Sequence, residues 1–330
     1  IRELALTRED ISLAISGRLE TRGDGPLALD VDLALPPPEG GRWRITGQLL
    51  GSVRDLRAEL SSSGYLDGRL QAELAPLNPD LPASAEFRSD AFLALGTLPQ
   101  TLTLQDWQLN ARGNLANGYQ VTTTAQLPGQ QGPVSLDLSG RVTPEAARDL
   151  QLTISGPSAV DDGQAELGIS GEVSWAEQLR ARADIEMGAF AWYGLLPDLE
   201  PPPVTITALA ANGEYVDGKY SANVDLDATG PMGDATLDTR VQGDLARVNL
   251  EELTMTTGGG RLQGQAQVGF AEALSWQAEV ILEQFDPGYW VPEASASING
   301  TIRSEGELDA EGQPEFTADW QLDGQWQEAP

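Results

Sequence analysis

The chain has 330 residues, with 50 acidic against 20 basic side chains and a formal net charge of −30. Such a charge repels nucleic-acid phosphates and anionic lipid headgroups, which argues against binding to nucleic acids or docking through a basic face. Cysteine and histidine are absent, so the sequence offers no thiol nucleophile, no Ser-His-Asp triad and no thiolate or imidazole metal ligand.

Alternation of apolar and polar residues with a period of two dominates the chain. Leu29, Val31 and Leu33 share one parity, and Asp30 and Asp32 lie between them. The same alternation returns around Leu70, Leu136, Leu138, Val224, Leu226 and Trp320. This pattern predicts strands with one apolar and one solvated face, which antiparallel sheets permit. We therefore expect an all-β fold.

Short turn signals separate the predicted strands. Asn117-Gly118, Asp217-Gly218 and Asp323-Gly324 are typical of tight β-hairpins. Helical periodicity is confined to the short stretches Pro144–Leu150, Ala176–Leu179 and Ala271–Leu274. The sequence therefore predicts hairpin after hairpin, with very little helix.

Proline-rich stretches interrupt the alternation, which resumes unchanged after each of them. We interpret them as loops, and predict one continuous, repetitive segment over residues 1–330 with candidate sub-breaks near 76–82 and 197–203. The chain begins in mid-pattern at Ile1 and has no apolar run of about 18 residues that could span a membrane. We expect it to be a fragment of a longer protein.

One run carries a family resemblance. Residues 269–306 combine Trp276, an alternating Ala278-Val280-Leu282 strand, the step Phe285-Asp286-Pro287 and a strand punctuated by Gly300. This run resembles the repeat of the TamB family, the long subunit of the translocation and assembly module, and Glu172–Gly188 resembles it less closely. Similar architecture occurs in the wider AsmA-like group of bridge-type lipid transporters.

The resemblance implies a long, bent antiparallel sheet curled into an open hydrophobic groove, a β-taco-like fold, in the periplasm of a Gram-negative envelope. It further implies transfer of phospholipids between membranes, in support of outer-membrane biogenesis, and outer-membrane protein assembly with the barrel TamA. The full-length protein is then expected to be anchored in the inner membrane through an N-terminal segment and to reach the outer membrane. Contacts with TamA are expected to involve parts of that protein outside this chain.

The apolar parity supplies the predicted ligand site, which binds phospholipid acyl chains in this interpretation. We predict no catalytic residue, no metal site, no cofactor and no enzymatic activity. For each lining residue, plain core packing is the alternative. Trp276 and Trp290 are candidates for the rim of the groove, with the ring inside and the indole N–H in water, but ordinary packing is the favoured interpretation for both. The predicted groove lining comprises Leu29, Val31, Leu33, Leu70, Leu136, Leu138, Val224, Leu226, Val280, Leu282 and Trp320.

A secreted or surface array of β-sandwiches is the alternative interpretation. Such an array would act as an adhesin or a structural stalk, with Ca²⁺ bound near Asp161-Asp162-Gly163 as one variant. The two interpretations differ in where the apolar side chains point. In sandwiches they interlock between two sheets, whereas in the groove they stay open to a hydrocarbon ligand.

Overall fold

The structure is a computed structural model that describes residues 4–8, 10–19, 25–38, 40–196, 201–231, 233–258, 260–271, 273–289, 294–308 and 313–326. Within these residues, 21 strands are assigned to an antiparallel sheet and only three short 3₁₀ helices occur. The chain divides into two compact units. Unit 1 comprises residues 1–156 and 192–199, and unit 2 comprises residues 157–191 and 200–330.

In unit 1, each strand pairs antiparallel with the next along the chain. Its strands are β1 Leu4–Arg8, β2 Ile11–Leu19, β3 Pro26–Leu35, β4 Trp43–Ser52, β5 Leu56–Gly64, β6 Gly68–Leu74, β7 Ala83–Phe92, β8 Leu104–Asn114, β9 Gly118–Leu127, β10 Val134–Val142 and β11 Ala146–Pro157, whose last residue falls in unit 2.

Unit 2 continues the same up-and-down pairing of consecutive strands. Its strands are β12 Gln164–Ser174, β13 Arg180–Met187, β14 Thr205–Val216, β15 Lys219–Gly230, β16 Gly233–Gly243, β17 Arg247–Thr257, β18 Gly260–Gly269, β19 Ser275–Phe285, β20 Ala296–Leu308 and β21 Pro314–Trp326.

The all-β prediction is confirmed, but several local predictions are wrong. Pro144–Leu150 is not helical, because β11 begins at Ala146, and residues 176–178 form bends rather than a helical turn. Asp217-Gly218 does form a hairpin turn, with both residues at positive φ. Asp323-Gly324 instead lies inside β21. Glycine allows β20 to approach closely at this point, because a Cβ on residue 324 would overlap the carbonyl oxygen of Ser297.

The sheet is open, and it is curled by glycines and bulges within the strands. Among the described residues, no pairing joins β1 to β11 or β12 to β21. Gly17 in unit 1 and Gly300 in unit 2 have φ of +132° and +133°, and a Cβ on either would overlap a carbonyl oxygen of the neighbouring strand. A bulge between Leu282 and Phe285 shifts the register of β19 against β20. Glycine kinks and bulges of this kind are the devices that bend β-sheets.

The three 3₁₀ helices recur once every six strands. Gln100–Leu102 joins β7 to β8, Trp192–Leu195 joins β13 to β14, and Pro287–Tyr289 joins β19 to β20. Their first residues, at positions 100, 192 and 287, are 92 and 95 residues apart. The glycine-started motifs recur in the sequence at irregular intervals and do not predict this near-constant period. The structure shows that six strands and one 3₁₀ connection form the repeated module.

Most buried apolar side chains lie near one edge of each unit, the edge at which the odd-numbered strands end and the 3₁₀ helices lie. We call it the capped edge. Ala146, at the opposite edge, is an exception. The buried apolar residues near the capped edge are Ala125, Leu127 and Val134 in unit 1, and Met187, Phe190, Ala191, Ala228, Ala235, Leu282, Phe285 and Ala296 in unit 2.

Hydrogen bonds hold the 3₁₀ connections in place at the capped edge. In unit 1, the carbonyl of Gly194 accepts from the Gln130 N–H at 2.8 Å, and the carbonyl of Leu195 accepts from the Thr101 hydroxyl at 2.6 Å. In unit 2, one oxygen of Asp286 accepts from the N–H groups of Gly288 and Ala296, each at 2.9 Å. The packed core of each unit therefore lies largely at this edge.

Candidate functional site: the apolar face of the sheet

One line of directly paired residues crosses every strand of unit 1 on the apolar face. We call this line the Val31 row. Ten of its eleven members are half-buried, and Leu4 at its end is exposed. In strand order the row consists of Leu4, Ile15, Val31, Gly47, Leu60, Leu70, Phe87, Leu109, Thr123, Leu138 and Leu152.

A second line of paired residues crosses every strand of unit 2, and we call it the Leu226 row. Every member except Gly300 is leucine or methionine, and most are half-buried. Met187 and Leu282, next to the capped edge, are buried. The row consists of Leu167, Met187, Leu209, Leu226, Leu237, Met255, Leu262, Leu282, Gly300 and Leu322.

The structure brings five of the eleven predicted lining residues onto these two rows. Val31, Leu70 and Leu138 belong to the Val31 row, and Leu226 and Leu282 to the Leu226 row. The other six lie on neighbouring lines of the apolar parity: Leu29, Leu33 and Leu136 in unit 1, and Val224, Val280 and Trp320 in unit 2.

The exposure of these side chains speaks against a second sheet packed on the apolar face. Nine of the eleven predicted lining residues are half-buried, Leu282 is buried, and Trp320 is 65% exposed. A facing sheet would bury such residues almost completely. The chain also exposes 20577 Å², whereas two compact domains of half its mass would expose roughly 16,000 Å². Interlocking sandwiches are therefore not the fold of the described residues.

A lane of small side chains runs beside the bulky residues in each unit. In unit 1, Ala58, Ala72, Ala85 and Ala111 pair directly with one another across β5–β8. In unit 2, the corresponding lane across β18–β21 is Ala266, Ala278, Ser304 and Ala318. Side chains two residues apart on a strand lie about 7 Å apart, so each lane is a strip of small side chains one residue wide.

An aromatic cluster lies on the apolar face of unit 1 near the capped edge, and sequence reasoning missed it. Successive ring centroids lie 5.2–5.6 Å apart. The indole N–H groups of Trp43 and Trp107 donate to the hydroxyls of Ser62 at 2.9 Å and Thr123 at 2.7 Å. The rings belong to Trp43, Tyr65, Phe92, Trp107 and Phe87, and Phe87 also belongs to the Val31 row.

The structure describes one of the two tryptophans that were candidates for the rim of the groove. Trp276 is half-buried, packs against Phe316 with ring centroids 6.4 Å apart, and donates its indole N–H to the hydroxyl of Ser304 at 3.2 Å. The indole N–H of Trp276 is therefore bonded to a protein side chain, as in ordinary packing. Trp290 lies outside the described residues.

Several cavities open on the opposite, polar face, and none of those described contains a predicted lining residue. The cavity over β5–β9 has a volume of about 760 Å³, and the ion pair between Arg57 and Glu73 lies in its wall at 3.1 Å. The cavity over β17–β21 has a volume of about 560 Å³ and includes the pair of Arg303 and Glu279 at 2.7 Å. Charged walls of this kind do not suit hydrocarbon, so the candidate site for apolar ligands is the apolar face.

Carboxylates crowd together on the polar face of unit 2. Asp225 on β15 pairs directly with Asp238 on β16, and Asp227 lies beside them. A hydrogen bond with Asp225, followed by desolvation and the charges of Asp225 and Asp227, raises the pKa of Asp238 above its ordinary value. The charges of Asp225 and Asp227 therefore act in the same direction on Asp238, and the charge of Arg261 opposes them.

Comparisons with known proteins give one family. No solved structure matches the chain. Among the residues that the structure describes, no helix has the length and apolar character needed to traverse a bilayer. The sequence profile described as TamB, N-terminal domain, matches residues 1–201 and again residues 196–330. Two successive matches cover the whole sequence, and with the open all-β sheet they show that the chain belongs to the TamB family.

Proposed function

We propose that the apolar face of each unit holds the acyl chains of phospholipids, and that the chain is a periplasmic segment of an intermembrane phospholipid-transfer protein. TamB-family proteins are components of a transport and assembly module of the cell envelope, associated with TamA and with membranes. In this proposal the chain supports outer-membrane biogenesis, while an inner-membrane anchor and the contacts with TamA belong to other parts of the full-length protein.

A single observation carries the proposal: leucine, valine, isoleucine and methionine side chains align from strand to strand and stay half-exposed. The Val31 row crosses eleven strands and the Leu226 row crosses ten. With neighbouring strands about 4.8 Å apart, each row runs for roughly 40–50 Å. An exposed apolar surface of that extent marks an interaction site on a soluble protein.

The energetics suit a mobile hydrocarbon ligand. Full burial of one CH₂ group is worth about 0.8 kcal/mol, so a sixteen-carbon chain covered on one side gains on the order of 6 kcal/mol. The lining of the Leu226 row is almost uniform in chemistry, so this gain changes little with position along the row. Hydrocarbon can therefore slide along the row while its polar headgroup stays in water.

Native mass spectrometry of the purified chain tests the proposal. We expect phospholipid or detergent to remain bound, and a fluorescent fatty acid to bind chain from which lipid has been removed. A chain that is lipid-free and also refuses the fluorescent fatty acid would contradict the proposal.

Paired substitutions separate the two faces of the sheet. Leu109→Asp places a carboxylate on the Val31 row, whereas Gln108→Asp places the same group on the polar face of the same strand, opposite Arg88. We expect Leu109→Asp, Val31→Asp and Leu226→Asp each to reduce fluorescent fatty-acid binding at saturation by up to half, because each substitution affects one of the two rows, and Gln108→Asp to leave it unchanged. Equal binding by Leu109→Asp and Gln108→Asp would show that the fatty acid does not bind to the apolar face.

A further inference from the structure

The net charge is divided very unequally between the two units. Unit 1 contains 20 acidic and 13 basic residues, a net charge of −7, and unit 2 contains 30 acidic and 7 basic residues, a net charge of −23. Several of the few cations in unit 2 are already engaged with carboxylates, among them Arg182 with Glu214 at 2.9 Å and Arg303 with Glu279 at 2.7 Å. Unit 2 is therefore the electronegative half of the chain.

Carboxylates flank the Leu226 row along much of its length. The row's sequence neighbours project to the polar face, and they include a single basic residue, Arg261 beside Leu262. The acidic neighbours of the row are Glu166, Glu186, Asp225, Asp227, Asp238, Glu283 and Asp323. In unit 1, the neighbours of the Val31 row include two basic residues, Arg69 and Arg88, and the acidic residues Asp30, Asp32, Glu59, Glu86 and Asp137.

These carboxylates act on the apolar face although they lie on the other side of the sheet. Only one layer of backbone separates the two faces, and the Debye length is about 10 Å at 0.1 M salt. The intervening protein has a low dielectric constant, so it screens the field less than water does. Asp225 pairs directly with Asp238 on the neighbouring strand, and the charges of Asp225 and Asp227 both act to raise the pKa of Asp238, after the hydrogen bond with Asp225 and desolvation.

We propose that the Leu226 row discriminates between lipids by headgroup charge, accepting phospholipids with a zwitterionic, ammonium-bearing headgroup in preference to anionic ones. This inference rests on the proposed function, because it requires acyl chains on the row. The ammonium group of a zwitterionic headgroup is attracted to the carboxylates beside the row, whereas a headgroup with a net negative charge is repelled by them.

Binding of two pyrene-labelled lipids with identical acyl chains, phosphatidylethanolamine and phosphatidylglycerol, tests the inference on the full chain. We expect about fivefold tighter binding of phosphatidylethanolamine at about 0.01 M salt, since potentials of one to two kT act over long distances there. At about 1 M salt, where the Debye length is about 3 Å, the preference should fall below about twofold.

Two triple variants with the same change of net charge locate the effect. Glu186→Gln, Asp227→Asn and Glu283→Gln together remove three exposed carboxylates beside the row, and should reduce the preference at low salt to about twofold or less. The matched control removes three exposed carboxylates near the opposite edge of unit 2 and should keep the preference: Glu172→Gln, Glu305→Gln and Glu307→Gln.

The outcomes distinguish this inference from the proposed function. If neither lipid binds to the unmodified chain, the proposed function itself fails. If both bind equally, or phosphatidylglycerol binds more tightly, acyl-chain binding stands and headgroup selection is refuted. Equal loss of preference in the two triple variants would refute the assignment of the effect to the carboxylates beside the row.

Discussion

The cross-strand carboxylate pair Asp225 and Asp238 shows how the function we infer conflicts with local stability. Two acidic residues directly opposite each other on an antiparallel pair destabilise the sheet. The fold tolerates this repulsion on the solvated polar face of unit 2. The same repulsion strengthens the negative potential that we connect with lipid selection.

Asp238→Asn should stabilise the chain at neutral pH. The pKa of Asp238 is raised in the folded state, so the folded state binds the proton more tightly than the unfolded state does. Stability therefore falls as the pH rises from the unfolded pKa, near 3.8, through the folded one. We expect Asn to raise the free energy of unfolding by about 0.5 kcal/mol at pH 7 and to have almost no effect at pH 3.

Urea unfolding at the two pH values measures this difference. Asp323→Asn, which removes a carboxylate from β21 on the same polar face, serves as the control for a general reduction of charge. A stabilisation by Asp238→Asn that persists at pH 3 would show that charge repulsion is not its cause.

Gly300→Ala should destabilise unit 2. The added Cβ would overlap the carbonyl oxygen of Gln321, and the φ of +133° is unfavourable for alanine. Each strained backbone position costs about 1–3 kcal/mol, so we expect a loss of about 2 kcal/mol in the free energy of unfolding, measured in urea. Gly233→Ala, at a φ of +121° with open space around the site, should cost less. Equal losses would rule out the close approach of β21 as the cause.

At the scale of elements, the 3₁₀ connections provide rigidity and the strands provide surface. Phe190 is only 2% exposed and lies at the capped edge of unit 2, whereas Leu226 in the middle of a strand is half-buried. The two positions therefore separate packing that holds the fold together from apolar surface that stays available to a ligand. This division allows an open apolar face to coexist with a folded chain.

Phe190→Ala should therefore cost much more stability than Leu226→Ala. Truncation of a fully buried phenylalanine costs about 3–5 kcal/mol, whereas a half-exposed leucine loses about half of its burial, roughly 1 kcal/mol. Equilibrium unfolding in urea compares the two variants. Fatty-acid binding should follow the reverse order, with the larger loss in Leu226→Ala, and equal unfolding costs at the two sites would mean that Leu226 is part of a closed core.

The sequence predicts the faces of the strands better than it predicts their neighbours. Alternation alone assigns Val31, Leu70 and Leu138 to the apolar face of their own strands, and the structure places them on one face of the sheet. Their alignment in a single row depends on ten pairing registers, which bulges such as the one after Ser139 shift. Hydrophobic periodicity within one strand contains no information on such shifts, so the sequence does not predict which residues of neighbouring strands align in a row.

The sequence does not predict the capped edge either, for a different reason. Its three 3₁₀ helices have the sequences QTL, WYGL and PGY, which share no motif. Long-range contacts, such as the hydrogen bond from the Thr101 hydroxyl to the carbonyl of Leu195, link these connections to distant parts of the chain, and local propensity does not predict such contacts. The aromatic cluster was missed likewise, because Trp43 and Trp107 come together only through the pairing of five strands.

At the scale of the whole molecule, a net charge of −30 opposes the folded state. Like charges on a compact chain repel one another, and added salt screens that repulsion. We expect the midpoint of thermal unfolding to rise by a few degrees between about 0.01 M and 0.5 M NaCl, a shift that differential scanning calorimetry measures. A midpoint that is constant or falls would mean that attractive ion pairs, such as Arg182 with Glu214, outweigh the repulsion.

The regular return of a 3₁₀ connection after every sixth strand gives this architecture a natural unit of growth. Six strands add about 29 Å to the path across the sheet. Duplication or loss of one such block of 92–95 residues would keep the parity of the strands. The apolar side chains would therefore stay on one face of the sheet, and the 3₁₀ connections would stay at the capped edge. A protein built this way can be lengthened or shortened by whole blocks, without redesign of either end.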